Sequence, residues 1–241
     1  MTVALDVLMV GVGGQGTVMA SDILAEAAIA EGFDVKKSDA LGMSQRGGSV
    51  TSHVRLGPQV FSPLIKKGEA HVLLAFEKLE AARWAAHLRP GGLAIVNDQA
   101  IPPFTVSSGS ELYPSDQTVV ELLRRRTEHV FVIGGGALAR EAGNPRALNA
   151  VMLGFLSVYF ESGDWVEALE GGPPSSPSGT EAPPDSPGFP APATHAPLIS
   201  KNSWAQCLAK ALPPRLLEVN LAAFEKGRSA AEAASRAGAA A

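Results

Sequence analysis

An apolar run from Leu5 to Val12 passes straight into Gly11-Val12-Gly13-Gly14-Gln15-Gly16, and an Ala/Leu-rich segment with helical spacing comes next, from Val18 to Ala30. This succession constrains the fold more than any other feature. It reads as strand, tight turn and helix, with G-x-G-x-x-G at the turn. Missing Cβ atoms let an anion approach the backbone, and the N–H groups at a helix start favour negative charge. A strand-to-helix turn that binds nothing has the same local pattern, so the motif leaves both readings open.

Short apolar runs recur at Val50 to Leu56, Val72 to Phe76, Leu93 to Asn97 and His129 to Ile133, separated by helical patterns such as Glu77 to Leu88 and Ser115 to Arg126. Strands alternating with helices predict an α/β fold, a Rossmann-like, mostly parallel sheet with helices on both faces. Asn144 to Phe160 is apolar nearly all round and predicts a buried helix with Pro145 in its first turn. Residues 171–200 hold nine of the 18 prolines and predict a disordered, low-complexity insertion. C-terminal helices are expected over Trp204 to Lys210 and Pro213 to Lys226, and then an Ala-rich tail with few core anchors. The segment after the insertion is too short to bury a core of its own, so residues 1–241 are expected to form one domain.

A dinucleotide site also wants an acid at the end of the second strand, about 20 residues past the glycines. That strand is predicted over Phe33 to Lys37 with Ser38-Asp39 after it, leaving Asp39 as the candidate and weakening an NAD(P) reading. Between the second and third strands lies Gly42-Met43-Ser44-Gln45-Arg46-Gly47-Gly48-Ser49, polar and flexible. Such a loop sits at the carboxyl edge of the sheet, where open α/β folds bind ligands. Arg46 offers a planar fork of donors for phosphate or carboxylate, and Gly47 and Gly48 allow close backbone approach. A flexible loop with a solvated arginine is the alternative.

Charge and composition narrow the chemistry. Twenty basic against 24 acidic side chains leave −4, with no reason to expect a nucleic-acid partner. Leu148 to Phe160 is too short for a bilayer span, which needs about 20 apolar residues, and no membrane partner is expected. No basic region precedes the first apolar run, which ends in a glycine loop instead of a cleavage site, so a cytoplasmic protein is expected. The one cysteine, Cys207, excludes a cysteine-ligated iron–sulfur cluster held by this chain alone. The histidines His53, His71, His87, His129 and His195 lack metal-ligand spacing. Glu77 and Glu80 read as helix-start carboxylates, Arg124 to Arg126 as helix-end cations and Cys207 as a small buried residue. No nucleophile elbow, Walker lysine or thiamine-type Gly-Asp-Gly motif is present, and no catalytic residue is assigned.

The combination of Gly11-Val12-Gly13-Gly14-Gln15-Gly16 with Ala20 and Ile23-Leu24, of Gly42-Met43-Ser44-Gln45-Arg46-Gly47-Gly48, of Phe76-Glu77 with Glu80, and of Pro90-Gly91-Gly92 resembles the gamma-type domain of 2-oxoacid:ferredoxin oxidoreductases. Within that family it is most similar to the small subunits of the indolepyruvate type. Pro213-Pro214, Leu216-Leu217-Glu218-Val219-Asn220 and Ala223-Phe224-Glu225-Lys226-Gly227 resemble the family's closing helix. The insertion departs from the family pattern.

The resemblance implies a heteromeric enzyme. A large alpha subunit would hold thiamine diphosphate and iron–sulfur clusters, decarboxylate an aryl 2-oxoacid such as indolepyruvate, and pass electrons to ferredoxin. This chain, inactive alone, would help bind coenzyme A and assemble the complex. Gly11, Gly13, Gly14 and Gly16 would give backbone access, and Gln15 a side-chain hydrogen bond. Ser44, Gln45, Gly47 and Gly48 would bind coenzyme A together with Arg46, which would make a charge-assisted bond to phosphate or to the partner subunit. The alternatives are a self-sufficient NAD(P) dehydrogenase and a regulatory nucleotide-binding module.

Overall fold

The computed structural model describes residues 4–42, 48–162 and 198–238. Residues 171–197 of the expected insertion and Met43, Ser44, Gln45, Arg46 and Gly47 therefore lie outside the described residues, while the last three residues of the insertion, 198–200, are described. Strand β1 (Leu5–Val12) leads into helix α1 (Thr17–Ala30), then β2 (Asp34–Leu41), β3 (Ser49–Gly57) and β4 (Ala70–Ala75). Helix α2 (Lys78–Trp84) and a 3-10 turn (Ala85–His87) precede β5 (Leu88–Asn97), the short α3 (Phe104–Ser107), α4 (Asp116–Arg124) and β6 (Val130–Ile133). The chain closes with α5 (Gly135–Glu141), a 3-10 turn (Pro145–Ala147), α6 (Leu148–Ser162), α7 (Lys201–Ala211) and α8 (Pro214–Gly238).

The sheet runs β2-β3-β1-β4-β5-β6. β1, β4, β5 and β6 are neighbours in parallel, while β3 is antiparallel to both β1 and β2. The expected alternation of strand and helix thus fails between β2 and β3. Residues 42–48 are too few for a crossover, which takes a dozen or more, so the chain reverses and β3 inserts next to β1. β2 nonetheless points the same way as β1, and its end reaches the carboxyl edge as expected. Asp39, the candidate ribose reader, lies two strands from β1 and pairs instead with Lys37, 2.7 Å away.

Successive side chains of a strand face opposite ways, and the burial has that period. Leu5, Val7 and Met9 join Val72, Leu74 and Ile95 beneath α1, α6, α7 and α8. Leu8 and Val10 join Leu73, Ala75, Ala94 and Val96 beneath α2 and α4. Helix α6 is buried along most of its length, as its all-apolar sequence requires. Several boundaries differ from expectation. Asn144 and Pro145 lead into a 3-10 turn, and α6 itself starts at Leu148; β2 runs on past Lys37 to Leu41 and takes in Asp39. The helix after β4 ends at Trp84, and β5 begins at Leu88 with Pro90-Gly91-Gly92 inside it, in an irregularity of pairing with β4. Helix α8 continues through the Ala-rich tail to Gly238, anchored by Ala231 and by Arg228, whose guanidinium grips Glu161 with two 2.7 Å bonds.

No helix among the described residues is long and apolar enough to cross a membrane. The histidines of the sheet are packed: His53 accepts the Ile65 N–H at 3.2 Å, His71 accepts the Asp6 N–H at 3.1 Å, and His87 lies 4.6 Å from the Trp84 ring. Cys207 is buried, as expected.

Candidate functional site

The glycine loop joins β1 to α1 at the carboxyl edge, and a cleft of about 530 Å³ opens beside it. Val12, Gly13, Gly14, Gly16, Thr17 and Val18 form one wall, and Leu41, Gly42 and Val50 the other. That volume falls within the usual range for small-molecule sites. Gly16, the N-cap of α1, has φ 81°, and Gly14 has φ 102°; both are in the left-handed region that favours glycine.

The start of α1 is electrostatically uncompensated. Helices α2, α4 and α7 each begin with a side chain accepting a backbone N–H: Glu77, Ser115 and Ser200. Helix α1 has no side-chain cap and no acidic residue in its first turn. Its first N–H groups have no intrahelical acceptors, and Gly16, Thr17 and Val18 bring them to the cleft. Fixed partial positive charge at an open cleft favours an anion there.

The predicted site residues divide by what they do. Gly13, Gly14 and Gly16 line the cleft. Gly48 is brought against them, its carbonyl accepting the Gly13 N–H at 2.9 Å. Gly11 lies beneath the loop, where a Cβ would come within 2.6 Å of Thr17 Oγ1 and 3.0 Å of Phe76 Cβ. Its lack of a side chain makes room for packing.

Gln15 turns away from the cleft. Its Oε1 accepts the Val12 N–H at 2.7 Å, while its Nε2 donates to the Phe76 carbonyl at 2.8 Å and to Gln99 Oε1 at 3.1 Å. Both amide hydrogens are thereby engaged within the chain, and the residue bolts the loop to the ends of β4 and β5.

A family model described as pyruvate ferredoxin/flavodoxin oxidoreductase matches residues 6–171, which include this loop and both walls of the cleft. The chain belongs to that family. It is 32% identical over 228 residues to the indolepyruvate oxidoreductase subunit IorB of Pyrococcus horikoshii, covering 94% of this chain and 96% of that one. Among solved structures, it resembles the gamma subunit of a keto/oxoacid ferredoxin oxidoreductase from Geobacter sulfurreducens, with a TM-score of 0.59, 21% identity, and 95% and 99% of the two chains covered. It also resembles a 2-oxoglutarate:ferredoxin oxidoreductase from Magnetococcus marinus, solved with 2-oxoglutarate, coenzyme A and succinyl-CoA. There the TM-score is 0.61 at 19% identity, and 95% of this chain matches 31% of that one. The fold of this family member therefore occurs both as a free-standing chain and as a segment of a longer one.

Several residues near the cleft were not assigned as site residues from the sequence. Asn149, on α6, packs 3.2 Å from where a Gly16 Cβ would be. Glu77 is fully buried, and its carboxylate accepts the Glu80 and Ile101 N–H groups, both at 2.9 Å, and the Tyr113 hydroxyl. Burial and that neighbouring carboxylate push the Tyr113 phenol up. Glu80 is buried too, bonded to Ser49 and Arg83. The available signal was position: Phe76-Glu77 comes directly after β4, at the same carboxyl edge as the glycine loop.

Proposed function

We propose that this chain is the small subunit of a 2-oxoacid:ferredoxin oxidoreductase of the indolepyruvate type, and that its cleft receives the diphosphate of coenzyme A. The observation that carries this reading is the match to an indolepyruvate oxidoreductase subunit over 94% of the chain and 96% of the relative. The overall reaction would convert an aryl 2-oxoacid and coenzyme A to the acyl-CoA and carbon dioxide, with two electrons going to ferredoxin. Thiamine diphosphate, which supplies the decarboxylation chemistry, and the iron–sulfur clusters belong in this reading to a larger partner subunit. The donor set of this chain agrees, since its single cysteine is buried on α7 with its thiol pKa raised by that burial.

The chain's own residues would bind and orient. The uncapped N-terminus of α1 supplies N–H groups and positive potential, and Gly13, Gly14 and Gly16 permit backbone approach. Arg46, with Ser44, Gln45, Gly47 and Gly48 around it, is the sequence's choice for a charge-assisted bond to phosphate. Gln15 and Gly11 keep the loop in place.

Reconstitution tests the assignment. The chain and its larger partner, purified anaerobically, are expected to reduce viologen with indolepyruvate and coenzyme A only when combined. A chain that captures no iron protein and binds NAD(P) by itself would replace this reading with the dehydrogenase one.

A single substitution tests the cleft. Val18→Asp puts a carboxylate in the first turn of α1, where it favours the helix dipole but opposes a bound phosphate. The expected result is an unchanged or slightly raised Tm together with a rise of about tenfold in the KM for coenzyme A. Val18→Asn is the uncharged control. An equal KM in both variants would remove phosphate from this cleft.

A further inference from the structure

By its position in the sequence Glu80 is a helix-start carboxylate with no role of its own assigned. In the fold its side chain is 3% exposed, a place where an unpaired charge would be costly. One oxygen meets Arg83 Nη1 at 2.9 Å, one turn along α2. The other accepts the Ser49 hydroxyl at 2.6 Å, a residue 31 positions earlier in the chain. Helix α2 does not need that second bond, since Glu77 already caps it and Arg83 already balances the charge.

Ser49 stands where the walls of the cleft meet. It is the first residue of β3 and lies opposite Val12, the last residue of β1. Its carbonyl accepts the Gly42 N–H at 2.8 Å, and the preceding carbonyl, Gly48, accepts the Gly13 N–H at 2.9 Å. Gly42 and Gly13 lie on opposite walls. The Ser49 hydroxyl therefore anchors a junction from which one backbone bond runs to each wall, and Glu80 is what the hydroxyl holds.

We propose that Glu80 is a positioning residue that acts through Ser49 to fix the spacing of the two cleft walls, and thereby the affinity for the anionic part of coenzyme A. Its effect on coenzyme A rests on the reading of the cleft given above; its effect on the walls does not. The Ser49–Glu80 bond ties α2 to the start of β3, and Arg83 donates to the other carboxylate oxygen, so it does not compete for the one that Ser49 uses.

The test combines local opening of the chain with kinetics of the reconstituted enzyme. Ser49→Ala removes the hydroxyl at no cost in volume, Glu80→Ala removes its acceptor, and Glu80→Gln keeps an oxygen in place. In Ser49→Ala and Glu80→Ala, amide hydrogen exchange at Gly13 and Gly42 is expected to quicken about tenfold, with the β4–β5 ladder unchanged. The KM for coenzyme A is expected to rise by about tenfold while kcat and the KM for the 2-oxoacid stay put. Combining Ser49→Ala with Glu80→Ala should add nothing beyond either alone, and Glu80→Gln should restore most of the loss. Unchanged exchange at Gly13 and Gly42, or an acceleration spread evenly over the sheet, overturns the positioning role. If Val18→Asp raises the KM for coenzyme A and Ser49→Ala does not, positioning fails and the cleft reading stands. If neither variant moves that KM despite faster exchange at the walls, the cleft reading fails, and the role toward coenzyme A with it.

Discussion

Gly154→Ala is expected to destabilise the fold by about 3 kcal/mol, a fall in Tm of about 9 °C for a chain of this size, although alanine is the better helix former. The reason is the crossing of α6 and α8. A Cβ on Gly154 would lie 2.0 Å from the Phe224 carbonyl oxygen and 3.0 Å from its Cα. Reciprocally, a Cβ on Gly227 would lie 2.0 Å from the Val151 carbonyl oxygen. Each obstacle is backbone of the opposite helix, which cannot rotate aside as a side chain can. The helices must separate, opening the packing around Phe155, Phe160, Trp204 and Phe224, all nearly inaccessible to solvent.

The same displacement reaches the cleft, because α6 also carries Asn149, packed against Gly16. Thermal unfolding monitored by circular dichroism measures the effect, with Gly136→Ala on α5 as the control. There an added Cβ would meet nothing closer than Arg140 Nη1 at 3.8 Å, so no loss is expected. Gly154→Ala and Gly227→Ala together should cost less than their sum, since one separation relieves both clashes. A Gly154→Ala chain as stable as the control would mean that the helices cross less closely than described.

Legibility in the sequence depends on the range over which each feature is encoded. The strand–loop–helix unit from Leu5 to Ala30 was legible because eight buried strand residues, a glycine turn and a helical pattern are contiguous. Helix α6 was legible because it is apolar nearly all round, although Asn144 and Pro145 mark the 3-10 turn that leads into it and not its own first turn. The insertion of antiparallel β3 between β1 and β2 was hidden, since strand order is a tertiary property to which only the shortness of residues 42–48 pointed. Helix α5 and the early start of β5 were not foreseen, because Gly134, Gly135 and Gly136 and Pro90-Gly91-Gly92 interrupt the apolar periodicity there. Gly13, Gly14 and Gly16 line the cleft, because backbone exposure is a local consequence of a glycine turn. The direction of Gln15 was not legible, because its partners Phe76 and Gln99 are 61 and 84 residues away. Glu77 and Glu80 were read only as helix-start carboxylates for the same reason: Tyr113 and Ser49, which make their burial tolerable, are 36 and 31 residues distant.

At the opposite end of β1, acid should loosen the fold through one histidine. His71 is buried at the start of β4, and its pKa is lowered to about 4, first by loss of solvent and then by the nearby charges of Arg89 and Arg55. Its Nδ1 accepts the Asp6 N–H, a bond that a proton on that nitrogen would abolish. An unfolded chain holds the histidine proton below about pH 6.5, whereas the folded chain takes it up only near pH 4. Between these values the unfolded state binds more protons, so stability is complete above the upper one, declines as pH falls, and levels off below the lower one. The whole decline amounts to about 3 kcal/mol.

Asp6 opposes it at the acid end, because burial raises its carboxyl pKa even with Arg55 2.8 Å away. His53 and His87, whose pKa values burial also lowers, add slope of the same sign as His71. Urea unfolding of the chain and of His71→Asn at about pH 7.5 and about pH 5 separates these contributions, since asparagine keeps an acceptor near the Nδ1 position and does not titrate. The difference between the two chains isolates His71: the wild-type midpoint should drop well below its neutral value in acid, and the variant's should drop less by most of the His71 share. Equal drops would show that His71 carries its proton inside the fold, and the Asp6 N–H would then need another acceptor.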